Sequence, residues 1–191
     1  MNEEQRLNAM VGVQMILASI EGDPLRPELK DTPKRMVNSL EEMLSGYSCD
    51  IESLFKTFED DATDQIVAVT NIQFTSICEH HLLPWQGIAH VAYLPVKRVI
   101  GVSKIGRLVL AYAHRLQLQE RMTKQIAYTM MKELEPQGVA VVTIGEHSCM
   151  RCRGVNLPTA QLRCSEMLGE FRVDRALRME VLSILGLNSN P

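Results

Sequence analysis

The sequence predicts an α+β fold with antiparallel hairpins, and three observations carry that prediction. Residues 2–20 and 32–46 place apolar side chains at helical spacing. From residue 65 the period shortens to that of strands, in two blocks rich in Ile, Val, Phe, Thr and Tyr. Helical spacing returns over 103–134, before two more strand-like segments and a closing helix. Elements arriving in pairs, rather than strand and helix in strict alternation, argue against a doubly wound sheet.

Each element has its own signal. Leu7, Met10, Val11, Met15 and Ile16 mark roughly one face of a first helix, broken by Gly22, Asp23, Pro24 and Pro27. Thr32 before Pro33 reads as an N-cap with proline at the first helical position, for a helix through Met36, Leu40 and Leu44 that stops near Gly46. Lys34 and Arg35 oppose the macrodipole in its first turn, and a solvent-facing pair explains them best. Gln65–Ser76 and Gly87–Leu94 read as strands, with the polar stretch Cys78–Trp85 between them. Ser103 caps an expected helix through Ile105, Leu108, Val109 and Tyr112. The next helix runs from Gln119 through Met122, Ile126, Met130 and Leu134, and ends at Pro136-Gln137-Gly138. Val139–Ile144 is a β-branched strand, a further strand covers part of 149–172, and Asp174–Leu185 closes as a helix. Two regions follow: residues 1–62 as an N-terminal helical region, and 63–191 as the domain that carries the chemistry.

Composition narrows the function. The 191 residues are 46% apolar and 23% charged, with 20 basic against 23 acidic side chains and a formal charge of −3. A general nucleic-acid binder normally shows a marked basic excess. No apolar run approaches the roughly 20 residues of a membrane helix, so no membrane partner is expected either. The polar start Met-Asn-Glu-Glu-Gln-Arg is unlike a secretory signal. Five irregularly spaced cysteines fit a reducing compartment, and the expected location is cytoplasmic.

The chemistry-bearing residues form two clusters. In Cys78-Glu79-His80-His81, a thiolate and an imidazole three apart on a loop can share one tetrahedral zinc ion. His147-Ser148-Cys149-Met150-Arg151-Cys152 follows a strand that can return beside the first cluster. Either Cys78, His81, Cys149 and Cys152 close a structural site, or three of them leave a position open for water. If 149–152 is extended, Cys149 and Cys152 point to opposite faces, and Met150-Arg151 lacks the glycine of a tight turn. The open site is favoured, with His80 and His147 as spare imidazoles suited to acid–base work near neutral pH. Ser103, Lys104 and Arg107 at a helix start suit an anion such as a polyphosphate, although a capped helix with solvated charges also explains them. Arg153-Gly154 adds a cation near the second cluster. Glu120 either complements the macrodipole or accepts two N–H bonds from a guanine edge. Cys49 and Cys164 read as small core or surface residues.

Across residues 30–185 the chain resembles the GTP cyclohydrolase I family. The resemblance rests on Cys78-Glu79-His80-His81, Gly101-Val102-Ser103-Lys104, Arg107, Gln117-Leu118-Gln119-Glu120-Arg121, Thr123-Lys124-Gln125, and His147-x-Cys149 followed by Arg153-Gly154. It implies a tunnelling fold: antiparallel sheet with helices on one face, closing with other subunits into a barrel, in a homodecamer of two pentamers with shared active sites. It implies zinc ligation by Cys78, His81 and Cys149, and catalytic roles for His80 and His147. Guanine binding falls on Gln119 and Glu120, and triphosphate binding on Ser103, Lys104, Arg107 and Arg153. The implied reaction opens the imidazole ring of GTP with loss of formate, giving dihydroneopterin triphosphate after rearrangement.

Two features depart from the family pattern. Cys152 adds a thiol, and Gln161–Glu166 lacks the threonine- and serine-rich run that commonly precedes Leu168-Gly169-Glu170-Phe171. The stretch before the matched region is short and suggests no regulatory segment. Two other readings compete: a related pterin- or deazapurine-processing enzyme, and a non-catalytic zinc-stabilised assembly protein. His80, His147 and Glu120 beside the ligands favour catalysis, since a structural site needs none of them. A nucleobase deaminase is disfavoured, because its His-x-Glu and Pro-Cys-x-x-Cys motifs are absent.

Overall fold

The computed structural model describes residues 1–22, 26–55, 57–58 and 63–187, the pair 57–58 by backbone alone. Asp23 and Pro24, two of the expected helix breakers, lie outside the described residues, as does residue 62, the expected end of the helical region. Packing divides the chain into two compact units, Met1–Ser45 and Gly46–Pro191.

The first unit holds α1 (Glu3–Glu21) and α2 (Thr32–Met43). Asn2 and Gln5 form a reciprocal capping box that starts α1, and Glu3 and Glu4 complement its dipole. Gly22 closes it at φ +86°. Its apolar residues form no buried face: Leu7, Val11, Met15, Ile16 and Ile20 are all exposed. Arg6 ties α1 to α2 through Glu41 and Asn38. α2 begins one residue earlier than expected: Asp31 holds the cap position, so Thr32 is the first helical residue and Pro33 the second. Pro33 is buried there, while Lys34 and Arg35 face solvent and Arg35 reaches back to Asp31.

The second unit is built on a five-stranded sheet of order β5-β2-β3-β6-β7. Its strands are β2 (Val67–Cys78), β3 (Pro84–Leu94), β5 (Leu116–Gln117), β6 (Gly138–His147) and β7 (Leu162–Gly169). A separate short pair joins β1 (Thr57–Phe58) to β4 (Val99–Ile100). The main pairings are antiparallel, as expected, but the two-residue β5 runs parallel to β2. The helices are α3 (Val102–Ala113), α4 (Gln119–Leu134), and the short α5 (Ser148–Arg151) and α6 (Glu170–Val173). The closing helix, α7 (Arg175–Ile184), is capped by Asp174. α3 starts from Gly101, so Ser103 sits inside its first turn and caps nothing.

Helices cover both faces of the sheet, not one. Val91, Tyr93, Val139 and Val141 pack with α3 and α4 in one core. The alternate residues Ala92, Leu94, Ala140 and Val142 pack with Met167, Phe171, Val181 and Leu185 in another. Successive strand residues face opposite ways, so near-continuous apolar runs require cover on both sides. Each large side chain buried this way contributes about 1.5–3 kcal/mol.

Register then decides where the functional residues meet. Ser76 pairs with Trp85, and Trp85 with His147, so β2 ends, β3 begins and β6 ends at the same end of the sheet. Gln117 pairs with Cys78, and α4 begins two residues later at Gln119.

Candidate functional site

The first cluster lies on the turn between β2 and β3. Cys78 N–H donates to the Leu83 carbonyl at 2.9 Å, and Leu82 N–H to the Cys78 carbonyl at 2.9 Å, with Leu82 at φ +54°. This tight reversal brings Nδ1 of His81 to 3.7 Å from Sγ of Cys78. Glu79 fixes the turn from outside: its N–H donates to the Gln117 carbonyl, and its carboxylate takes a two-point ion pair from Arg121 on α4. That guanidinium holds Glu79 below the usual carboxylate range.

The second cluster differs from the sequence expectation. Residues 148–151 form one helical turn, so His147 and Cys149 do not share a strand face. His147 ends β6 and Cys149 sits in α5, which turns its thiol toward the first cluster. One ligand atom each from Cys78, His81 and Cys149 lies within 4.8 Å of the others. Burial first, and then the neighbouring Cys78 sulfur, push the Cys149 thiol up. A cation held by the two sulfurs would reverse that preference, because it stabilises thiolates. Cys152 is outside the group: it is exposed, and its Sγ donates to the Ser148 carbonyl at 2.9 Å. Arg153 reaches the cluster, with Nη1 donating to Nε2 of His81 at 3.2 Å.

His147 belongs to the sheet. Its ring stacks on Trp85 at 4.4 Å between centroids and 11° between planes, and Trp85 meets Phe74 edge-on. Its Nε2 lies 2.9 Å from Oε1 of Gln119. Burial lowers its pKa, and the carboxylate of Glu120 partly restores it. Glu120 itself is exposed at the start of α4. Burial, with Glu120 nearby, pushes the Cys164 thiol up to about 11, so it stays protonated and inert at neutral pH. His80 stands at the surface, with its side chain 63% exposed and its ring edge-on to His81.

The structure thus gathers Cys78, His81, Cys149 and Arg153 in one group, and His147, Gln119 and Glu120 in another. Ser103, Lys104 and Arg107 lie together on the first turns of α3. Among the described residues, no side-chain hydrogen bond or ion pair engages them. The sequence reading missed the Glu79–Arg121 pair and the Trp85 stack. Gly87 and Gly145, isolated within strand patterns, were the available signal of close packing there.

The model of the GTP cyclohydrolase I family matches residues 9–186. A protein named GTP cyclohydrolase 1 from Maricaulis maris is 46% identical over 182 residues, spanning 94% of this chain and 89% of that relative. Another of that name, from Thermoanaerobacter pseudethanolicus, is 45% identical over 174 residues, spanning 91% and 93%. Among solved structures, an archaeosine synthase QueF-Like in the apo form aligns with 56% of this chain and 96% of its own, at 15% identity and a TM-score of 0.47.

Proposed function

The chain belongs to the GTP cyclohydrolase I family, and from that premise we propose that it hydrolyses GTP to formate and 7,8-dihydroneopterin triphosphate with a zinc ion held by Cys78, His81 and Cys149. The observation that carries the reading is the convergence of those three side chains beside a stacked, hydrogen-bonded His147. Two thiolates and an imidazole are soft donors suited to zinc, and three protein ligands leave one position open. Zinc held there supplies Lewis acidity to activate water for attack on carbon 8 of guanine.

The chain's own residues do the rest. Glu120 accepts two N–H bonds from the guanine edge. Lys104, Arg107 and Arg153 neutralise the triphosphate, and the Ser103 hydroxyl donates to it, at the start of α3. If His81 held the zinc through Nδ1, its Nε2 would carry the ring proton and could no longer accept from Arg153, whose guanidinium would then be available to phosphate. His147 donates its proton to nitrogen 7 as carbon 8 is attacked, and His80 serves the later ribose proton transfers.

The protein acts as a cytoplasmic homo-oligomer, a decamer of two pentamers, with active sites completed between subunits. The sheet supports this: β7 and most of β2 are edge strands whose outer sides have no strand partner among the described residues. Among those residues no helix is long and apolar enough to cross a membrane.

The test is to incubate the zinc-loaded protein with GTP or ATP and to assay formate together with a pterin chromophore. Both products from GTP and neither from ATP are expected. Formate from both nucleotides refutes the guanine assignment, and formate without a pterin points to a related reaction.

A further inference from the structure

Gln119 is fully buried, and both ends of its side chain are engaged. Its Nε2 lies 3.1 Å from the Thr143 carbonyl, 3.0 Å from Thr143 Oγ1 and 3.0 Å from the Leu162 carbonyl. Carbonyl oxygens only accept, so the amide's orientation is settled: NH2 faces β6 and the start of β7, and Oε1 faces His147. Oε1 only accepts as well. The hydrogen on the 2.9 Å contact must therefore belong to Nε2 of His147. In the neutral ring, Nδ1 is left as the lone pair.

Three further observations show that this arrangement is held by packing. Thr123 Oγ1 lies 2.7 Å from the Gln119 carbonyl and 2.7 Å from Thr143 Oγ1, closing a buried polar network across α4 and β6. Trp85 covers one face of the His147 ring. A Cβ on Gly145 would stand 2.3 Å from Oε1 of Gln119 and 2.9 Å from the Trp85 ring, so only glycine leaves the hollow that the amide fills.

We infer that Gln119 is a positioning residue: it fixes the tautomer and orientation of His147, making Nδ1 the atom through which that ring gives and takes its proton, and its side chain does not contact guanine. The inference rests on the reading of His147 as the proton donor at the guanine ring. In the step itself the Nδ1–H bond breaks, the proton passes to nitrogen 7, and the ring is left neutral with Nε2–H still on Gln119. A carbonyl-to-amide-to-imidazole chain gives the third-group orientation that acid–base residues use elsewhere. The guanine edge is left to Glu120 and to main-chain groups.

The experiment compares the parent with Gln119→Met, Gly145→Ala, His147→Ala and the double variant Gln119→Met/His147→Ala. Zinc content, kcat and KM for GTP, and GTP affinity of the zinc-free protein are measured for each. Gln119→Met is expected to keep zinc, and to keep KM and affinity within about twofold. Its kcat falls by about tenfold to a hundredfold, the range for a misplaced reacting group. In the His147→Ala background the same change has little further effect, because the two residues act as one unit. Gly145→Ala displaces Oε1 without altering Gln119, so it produces the same kcat loss and carries the test if Gln119→Met does not fold. A raised KM and weakened affinity with unchanged kcat make Gln119 a guanine contact and overturn the inference. So does an additive effect in the double variant. His147→Ala turning over at the parent rate instead overturns the assignment of His147 itself.

Discussion

The two halves of the site are held in opposite ways. In the candidate metal group, Cys78 is buried at the end of β2, His81 is exposed on the five-residue turn that follows, and Cys149 is half-buried on a single turn of helix. The group is braced from outside by the ion pair of Glu79 with Arg121, by the Glu79 N–H on the Gln117 carbonyl and by Arg153 on His81. The His147 group sits where β3, β6 and α4 pack together, behind an aromatic stack and a buried network. A loop accommodates a metal because the ion itself completes the geometry when it binds. Proton transfer has no such template, so its groups must be placed beforehand by packed elements.

The largest effect should come from removing a ligand. Cys149→Ser is expected to abolish zinc binding, whereas Cys152→Ser leaves one zinc per subunit, as metal analysis of the purified proteins will show. Equal loss from both would make the site a closed four-ligand one and dissolve the contrast. His147→Ala breaks the other half: zinc and GTP binding stay, while single-turnover formate release slows by about 100-fold or more. Loss of zinc instead would mean the two halves are one structural unit.

Smaller changes sharpen the comparison. On the proposed guanine contact of Glu120, Glu120→Gln should cost about 1.5–3 kcal/mol and so weaken GTP binding by about one to two decades in a titration at fixed salt. Arg121→Ala should weaken zinc by less than about tenfold in a chelator competition, because Arg121 braces the turn through Glu79 and touches none of the three proposed ligands. Stability should hardly change, because the pair is partly exposed.

The smallest effect concerns His90, a counterexample on the same strands. It is 4% exposed, and neither ring nitrogen has a hydrogen-bond partner among the described residues. Burial lowers its pKa from the ordinary 6.5. Above pH 6.5 folded and unfolded chains both carry it neutral, so it makes no difference there. Below that, the unfolded chain binds a proton that the folded one resists. Stability should fall toward the depressed pKa, by at most about 1.4 kcal/mol per pH unit. His90→Leu should flatten this acid slope in urea unfolding at pH 7.5 and 5.5, and an unchanged slope would assign it to other groups.

Much of this protein was legible from local rules. Periodicity placed α4 at Gln119 with Met122, Ile126, Met130 and Leu134 inward, because an amphipathic helix writes its buried face into every third or fourth residue. The short Cys78–His81 spacing was enough to bring those two side chains together, since a tight turn does so for such neighbours unaided. Asp31 rather than Thr32, and Gly101 rather than Ser103, took the caps, because cap choice turns on one residue of backbone geometry. Folding Cys149 into a helical turn, covering the second sheet face with α6 and α7, and bringing Gln119 and Trp85 onto His147 depended on tertiary structure. The contact of Gln119 with His147 joins residues 28 apart in the chain, and Trp85 lies further still from His147. Register and packing across three strands and a helix create them, and no local spacing encodes that register.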